Sequence, residues 1–136
     1  MIVIDVSAAM EIARRTPKGN AFKMLMMEGE DTKAPNLFSY EAANAAWKMH
    51  AFQKNSQEQS EYLLDAMLAQ VDEFVDADEY EQEAFLEACK YRHPAYDLFY
   101  AVLARRLGAT LFTADKKLTE LCIEMGVNVV EEIDFP

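Results

Sequence analysis

Basic residues are scarce in this chain. Lys and Arg number 13 against 24 Asp and Glu, a formal charge of −11 over 136 residues. That balance excludes a surface that grips a nucleic-acid backbone by charge alone. A chain of this kind acting on phosphates needs cations to bridge two negative partners. Cysteine is scarcer still. Cys89 and Cys122 carry neither a CxxC nor a zinc-type spacing, which excludes a disulfide scaffold and a zinc module. Both fall in apolar helical patterns, so they are expected as buried packing thiols in a reducing cytosol. Long hydrophobic runs are missing too. Charge interrupts every apolar stretch well before the ~18 residues a membrane span needs. The opening Met1-Ile2-Val3-Ile4-Asp5 is too short for a signal peptide and lacks its basic segment. The expectation is a soluble, cytoplasmic protein with no membrane partner. There is no internal repeat or low-complexity linker, so residues 1–136 are expected to form one domain. Apolar residues make up 51% of the chain, which excludes intrinsic disorder.

Short β-branched runs alternate with amphipathic segments. Ile2-Val3-Ile4 reads as a strand buried on both faces. Thr110-Leu111-Phe112-Thr113 and Val127-Asn128-Val129-Val130, each shortly after a glycine, read as two more. Phe74-Val75 is a weaker strand among acids, and Lys33-Ala34-Pro35 is placed at a sheet edge. Helices are predicted over Ser7–Arg15, Asn20–Glu28, Ser39–Lys54, Gln57–Val71, Glu79–Tyr91, Pro94–Leu107 and Asp115–Met125. Ser7 and Ser39 are the expected N-caps of the first and third, and Pro17-Lys18-Gly19 the stop of the first. On the Gln57 helix, Leu64, Met67, Leu68 and Val71 share one face. The alternation predicts an α/β three-layer fold with a central, mainly parallel sheet. The acidic run from Asp72 to Glu79 reads as a solvated turn region around an edge strand.

Four acids occupy similar places in this pattern. Asp5 ends the first strand and precedes a helix. Asp115 follows the Thr110 strand and opens another helix. Asp97 lies in the first turn of the Pro94 helix, above Ala101, Ala104 and Gly108 on one face. Glu41 is placed in the first turn of the Ser39 helix, before an alanine-rich close-packing surface. In open parallel sheets the carboxyl ends of the strands form the ligand crevice. If the first strand and the Thr110 strand are neighbours, Asp5 and Asp115 meet at one rim. Each acid also has an ordinary reading, since carboxylates near helix N-termini gain about 0.3–1 kcal/mol from the macrodipole and cap free amides. Four at one rim repel one another and raise each other's pKa. A doubly charged cation removes that repulsion, and all-oxygen ligation suits Mg²⁺ or Mn²⁺.

The segments Ile2-Val3-Ile4-Asp5-Val6-Ser7, Ser39-Tyr40-Glu41-Ala42-Ala43-Asn44-Ala45, Tyr96-Asp97-Leu98-Phe99-Tyr100-Ala101-Val102-Leu103-Ala104 and Ala109-Thr110-Leu111-Phe112-Thr113-Ala114-Asp115-Lys116-Lys117-Leu118 occur in this order. Together they resemble the PIN-domain nuclease family, and especially its small VapC-type toxins. The likeness spans nearly the whole chain. It implies a three-layer α/β/α fold and a metal-dependent ribonuclease, commonly a toxin silenced by a cognate antitoxin and usually a homodimer. The family's metal-binding and catalytic acids map onto Asp5, Glu41, Asp97 and Asp115, and its hydroxyl near the last acid maps onto Thr113. The implied cofactor is Mg²⁺ or Mn²⁺, and the implied substrate is RNA. Some relatives carry a further acid where this chain has Leu118.

Other residues have two readings each. Lys116 and Lys117 suit an RNA phosphate or ordinary solvation, as do Arg14, Arg15 and Lys18. His93, one turn before Asp97, suits a general acid or a structural role. Tyr91 and Tyr96 suit base stacking or packing. Met24, Met26 and Met27 read as adaptable core or interface filling, and Trp47 as packing. A haloacid-dehalogenase phosphatase needs Asp-x-Asp where this chain has Asp5-Val6-Ser7. A receiver domain needs an acid pair after the first strand and a lysine after the last. The remaining alternative is a non-catalytic PIN-like module that binds RNA or protein.

Overall fold

The structure, a computed structural model, describes residues 1–131. Its sheet has four strands, β1 (Ile2–Ile4), β2 (Thr32–Pro35), β3 (Glu73–Val75) and β4 (Thr110–Phe112), in the order β3-β2-β1-β4. All three pairings are parallel. Among the described residues seven helices flank it: α1 (Val6–Ala13), α2 (Pro17–Leu25), α3 (Leu37–Phe52), α4 (Gln57–Leu68), α5 (Glu81–Tyr91), α6 (Ala95–Leu107) and α7 (Lys116–Met125). The α/β fold with a parallel sheet is the one its alternating pattern predicts.

β1 is central because it can be buried on both faces. Ile2, Val3 and Ile4 are each 1% exposed or less. α6 crosses β1, β2 and β4, and its buried face carries Leu98, Ala101, Val102 and Ala104. The small residues let the helix approach the sheet closely. β1 pairs with β4 so that Ile4 faces Phe112. The residues that follow these two, Asp5 and Thr113, therefore leave the sheet side by side at its carboxyl end.

Several local expectations differ from the fold. β2 is not an edge: it lies between β1 and β3. Pro35 is tolerated because it is the last residue of its strand, and the next amide, Asn36 N–H, donates to Val75 O at 2.9 Å. Val127–Val130 does not form a full strand. Its pairing is one bridge between Leu111 and Val129, flanked by Leu111 N–H to Asn128 O and Val130 N–H to Leu111 O. The N-cap of α1 is Asp5, not Ser7, and α3 begins at Leu37, so Ser39 lies within its first turn and Glu41 beyond it. Cys122 is buried but Cys89 is exposed. Met24 and Met27 are 85% and 74% exposed, so they are surface rather than core. Trp47 is half exposed and packs edge-on against Phe52.

Pro17-Lys18-Gly19 does not merely stop α1; it starts α2. Thr16 caps α2 by accepting from Gly19 N–H at 3.0 Å, and Pro17 takes the first-turn place that needs no amide donor. Gly19 is required by contact rather than by turn geometry. A β-carbon there would stand 1.9 Å from Glu11 O on α1. Backbone cannot move aside as a side chain tip can. Gly19→Ala is expected to destabilise the protein by about 3 kcal/mol, the upper part of the overpacking range, read as a lower urea midpoint in equilibrium unfolding.

Candidate metal centre

The β1–β4 pairing delivers Asp5 to a dense set of donors. Asp5 Oδ1 accepts from Ala8 N–H at 3.0 Å and from Ser7 Oγ at 2.7 Å. Thr113 Oγ1 donates to Asp5 Oδ2 at 2.5 Å. Ser7, freed from capping, accepts from Ala114 N–H at 2.8 Å and so ties the β4–α7 turn to α1. Thr113 also accepts from Asp115 N–H at 3.0 Å. Asp115 caps α7, its Oδ1 accepting from Lys117 N–H at 2.9 Å, and is exposed.

Asp97 and Glu41 arrive from other elements. Asp97, in the first turn of α6, meets His93 Nε2 through Oδ2 at 2.7 Å. Glu41 reaches in from α3, and Tyr100 OH donates to its Oε1 at 2.6 Å.

The electrostatics link three of these acids. Asp5 is pushed up from 3.8 to about 6, chiefly by burial. The three hydrogen bonds it accepts oppose that shift, and the charge of Asp97 adds to it. Glu41 is also raised, first by burial and then by Asp97, against the lowering effect of Tyr100. Burial pushes the Cys122 thiol up to about 12, with Asp5 and Asp97 contributing. Asp97 is thus within electrostatic reach of both Asp5 and Glu41, and Cys122 lies close enough to feel Asp5 and Asp97. Among the described residues, no Lys or Arg lies within ion-pair distance of any of the four acids.

The expectation that the four acids meet around one cation at this rim does not describe this arrangement. Among the described residues, no three His, Cys, Asp or Glu side chains stand close enough to hold one ion. The reason is local: each carboxylate is turned to its own partner, Asp5 to Ser7 and Thr113, Asp97 to His93, Glu41 to Tyr100 and Asp115 to its helix amide. The donor chemistry still fits a hard divalent cation. The set is all oxygen, the charge of Asp97 acts on Asp5 and on Glu41, and no Lys or Arg among the described residues is paired with the four acids. Leu118 is 1% exposed and packed in the core, so it offers nothing to this rim.

A groove of about 560 Å³ opens beside Thr113 and Ala114, lined also by Lys18, Phe22, Lys116 and Ile123. Lys117 instead faces a smaller pocket with Tyr91 and His93. Tyr96 is exposed. Two further residues build the site. Ser7 has the sequence signature of a cap but acts as a bridge. Tyr100 carries a weaker signal: its spacing of three from Asp97 puts both near one side of α6.

Comparisons with known proteins agree with this fold. The PIN domain family profile matches residues 2–124. A protein of Pyrobaculum aerophilum named Ribonuclease VapC3 is 28% identical over 125 residues, covering 88% of this chain and 92% of its own length. A crystal structure of PAE2754 from the same organism superposes with a TM-score of 0.71 at 23% identity, covering 96% of this chain and 90% of that one. With the family profile matching nearly the whole chain, the chain belongs to the PIN-domain family.

Proposed function

We propose that this chain is a Mg²⁺- or Mn²⁺-dependent ribonuclease, the toxin of a type II toxin–antitoxin pair. The observation that carries the reading is the placing of Asp5 against Thr113 at the carboxyl end of the paired strands β1 and β4, with no Lys or Arg within ion-pair distance of Asp5, Glu41 or Asp97 among the described residues. Similarity to Ribonuclease VapC3 supplies the substrate class. Asp5, Glu41, Asp97 and Asp115 would hold the ion once their carboxylates turn from the separate partners that engage them here. When bound, it supplies Lewis-acid activation of water and neutralisation of phosphate charge for in-line hydrolysis. Thr113 and Ser7 fix the Asp5 carboxylate so that it does not rotate away. His93 holds Asp97 by one oxygen and leaves the other unengaged by it. Lys18 and Lys116, in the groove beside Thr113, are placed to receive a flanking RNA phosphate. Without a cation, the acid rim of a chain with net charge −11 repels RNA. Incubation with mixed-sequence single-stranded RNA in Mg²⁺ tests this. Fragments are expected; RNA that is bound and left intact would favour the non-catalytic module instead.

The same reading places the protein in the cytoplasm, as a homodimer with a cognate antitoxin. Among the described residues no helix is long and apolar enough to cross a membrane. An acidic rim suits an inhibitor that inserts arginine, whose planar fork pairs bidentately with carboxylates. The exposed Met24 and Leu25 of α2 offer apolar surface for the rest of such a segment. Antitoxin affinity is expected to fall with excess Mg²⁺ and with Arg→Ala in its C-terminal region, both read by titration calorimetry. Affinity indifferent to both would place the inhibitor elsewhere.

A further inference from the structure

Glu41 is held by a phenol. Tyr100 OH donates to Glu41 Oε1 at 2.6 Å, across 59 residues of sequence. Tyr100 is 2% exposed, so the hydroxyl has almost no access to solvent as an alternative partner. The phenol O–H is a donor, and it is turned to the carboxylate of Glu41. A neutral hydroxyl to a carboxylate is a charge-assisted bond, among the stronger kinds.

The helix beside the phenol is anchored: Tyr80 OH donates to the carbonyl of Phe99 at 2.8 Å, and the Tyr80 and Phe99 rings meet edge-on. One turn of α6 thus carries Asp97 and, three residues on, the group that holds Glu41. Glutamate has several rotatable bonds, and ordering it at the moment an ion binds weakens that binding. A partner that orders it during folding removes this loss.

We propose that Tyr100 is a positioning residue of the acid cluster: it clamps Glu41 by Oε1 and leaves Oε2 for a divalent cation shared with Asp97. This rests on the cation-site reading given above. The test is Mn²⁺ binding by electron paramagnetic resonance, in the full chain and in Tyr100→Phe and Glu41→Gln. Tyr100→Phe keeps the ring and loses only the hydroxyl. Its Mn²⁺ affinity is expected to fall about 10- to 100-fold, the usual effect of losing a group that orients a metal ligand. The Mn²⁺ concentration for half-maximal RNA cleavage should rise by the same factor, while kcat at saturating Mn²⁺ stays within a few-fold. A tyrosine that merely packs would leave Mn²⁺ affinity unmoved.

Glu41→Gln distinguishes cation ligation from the positioning role of Tyr100. If Glu41→Gln binds Mn²⁺ as tightly as the parent, Glu41 is not a ligand and the cation-site reading of it fails. If Glu41→Gln loses affinity and Tyr100→Phe does not, the positioning role alone is overturned. Should Tyr100→Phe fail to fold, 3-fluorotyrosine at position 100 retains the hydroxyl. Its ¹⁹F resonance is expected to broaden on Mn²⁺ addition and to stay sharp in an Asp97→Asn background at the same Mn²⁺ concentration. A resonance indifferent to Mn²⁺ would overturn the proposal.

Discussion

Asp5→Asn is expected to abolish RNA cleavage while making the metal-free protein more stable at neutral pH. Asp5 is buried and its pKa is raised from 3.8 to about 6. A raised carboxyl means that the folded state prefers the protonated form. Stability from this group is therefore fully present below about pH 4, is lost as pH rises to about 6, and stays lost above it. A shift of about two units corresponds to about 3 kcal/mol. Asparagine is neutral at every pH and caps a helix about as well as aspartate. Its carbonyl can still accept from Ala8 N–H. The difference in unfolding free energy between Asp5→Asn and the parent should be small near pH 4. It should grow to about 1–3 kcal/mol in favour of the variant at pH 7.5, part of the full value being lost with the Thr113 hydrogen bond. Urea unfolding across this range in EDTA checks it. The difference between the two proteins isolates Asp5 from other acids, including Glu83, whose pKa is lowered by its bonds to Arg105 and Arg106 and acts in the opposite sense. Activity should fall by more than about 100-fold, since a ligand matters more than the groups that orient it. A loss of several kcal/mol in the metal-free variant would instead make Asp5 a structural cap.

Divalent cations should have a large effect on the parent. An ion that binds only the folded state stabilises it by about 2.7 kcal/mol at one hundred times its Kd. For a domain of this length that is a rise in Tm of about 10 °C. Mn²⁺ and Mg²⁺ are expected to produce it, EDTA to reverse it, and Asp97→Asn to remove most of it. Asp97 is the informative position because its charge acts on both Asp5 and Glu41. Scanning calorimetry reads this directly. An equal rise in parent and Asp97→Asn would place the ion elsewhere on the acidic surface.

The frame of the molecule was legible because its key strands are unambiguous. Ile2–Ile4 and Thr110–Phe112 are short, β-branched or aromatic, and bounded by turn residues, so position and burial both follow. Pairing these two strands is what brings Asp5 against Thr113. Errors fell where two physical readings share one signature. Proline after a helix looks like a stop and at Pro17 is a start. Asp5 and Ser7 both have cap chemistry, and Asp5 takes the cap because it stands where the chain leaves β1. Lys33-Ala34-Pro35 reads as an edge because of its proline, yet a proline at the last residue of an inner strand breaks no ladder bond. The site was legible as a set of acids but not as a geometry. His93 to Asp97 is a visible four-residue spacing. Glu41 to Tyr100 is not, since 59 residues separate them. Nor does sequence show which way each carboxylate turns, and here each turns to a local donor.

The central claim is that these acids hold a cation that cleaves RNA. It is tested most directly by the rate at which the purified chain cleaves a single-stranded RNA in Mn²⁺ and in EDTA, measured in parallel for Asp97→Asn. The expected result is cleavage by the parent in Mn²⁺, none in EDTA, and a loss of more than about 100-fold in Asp97→Asn at the same Mn²⁺ concentration. Cleavage that persists in EDTA, or that Asp97→Asn leaves unchanged, would contradict it.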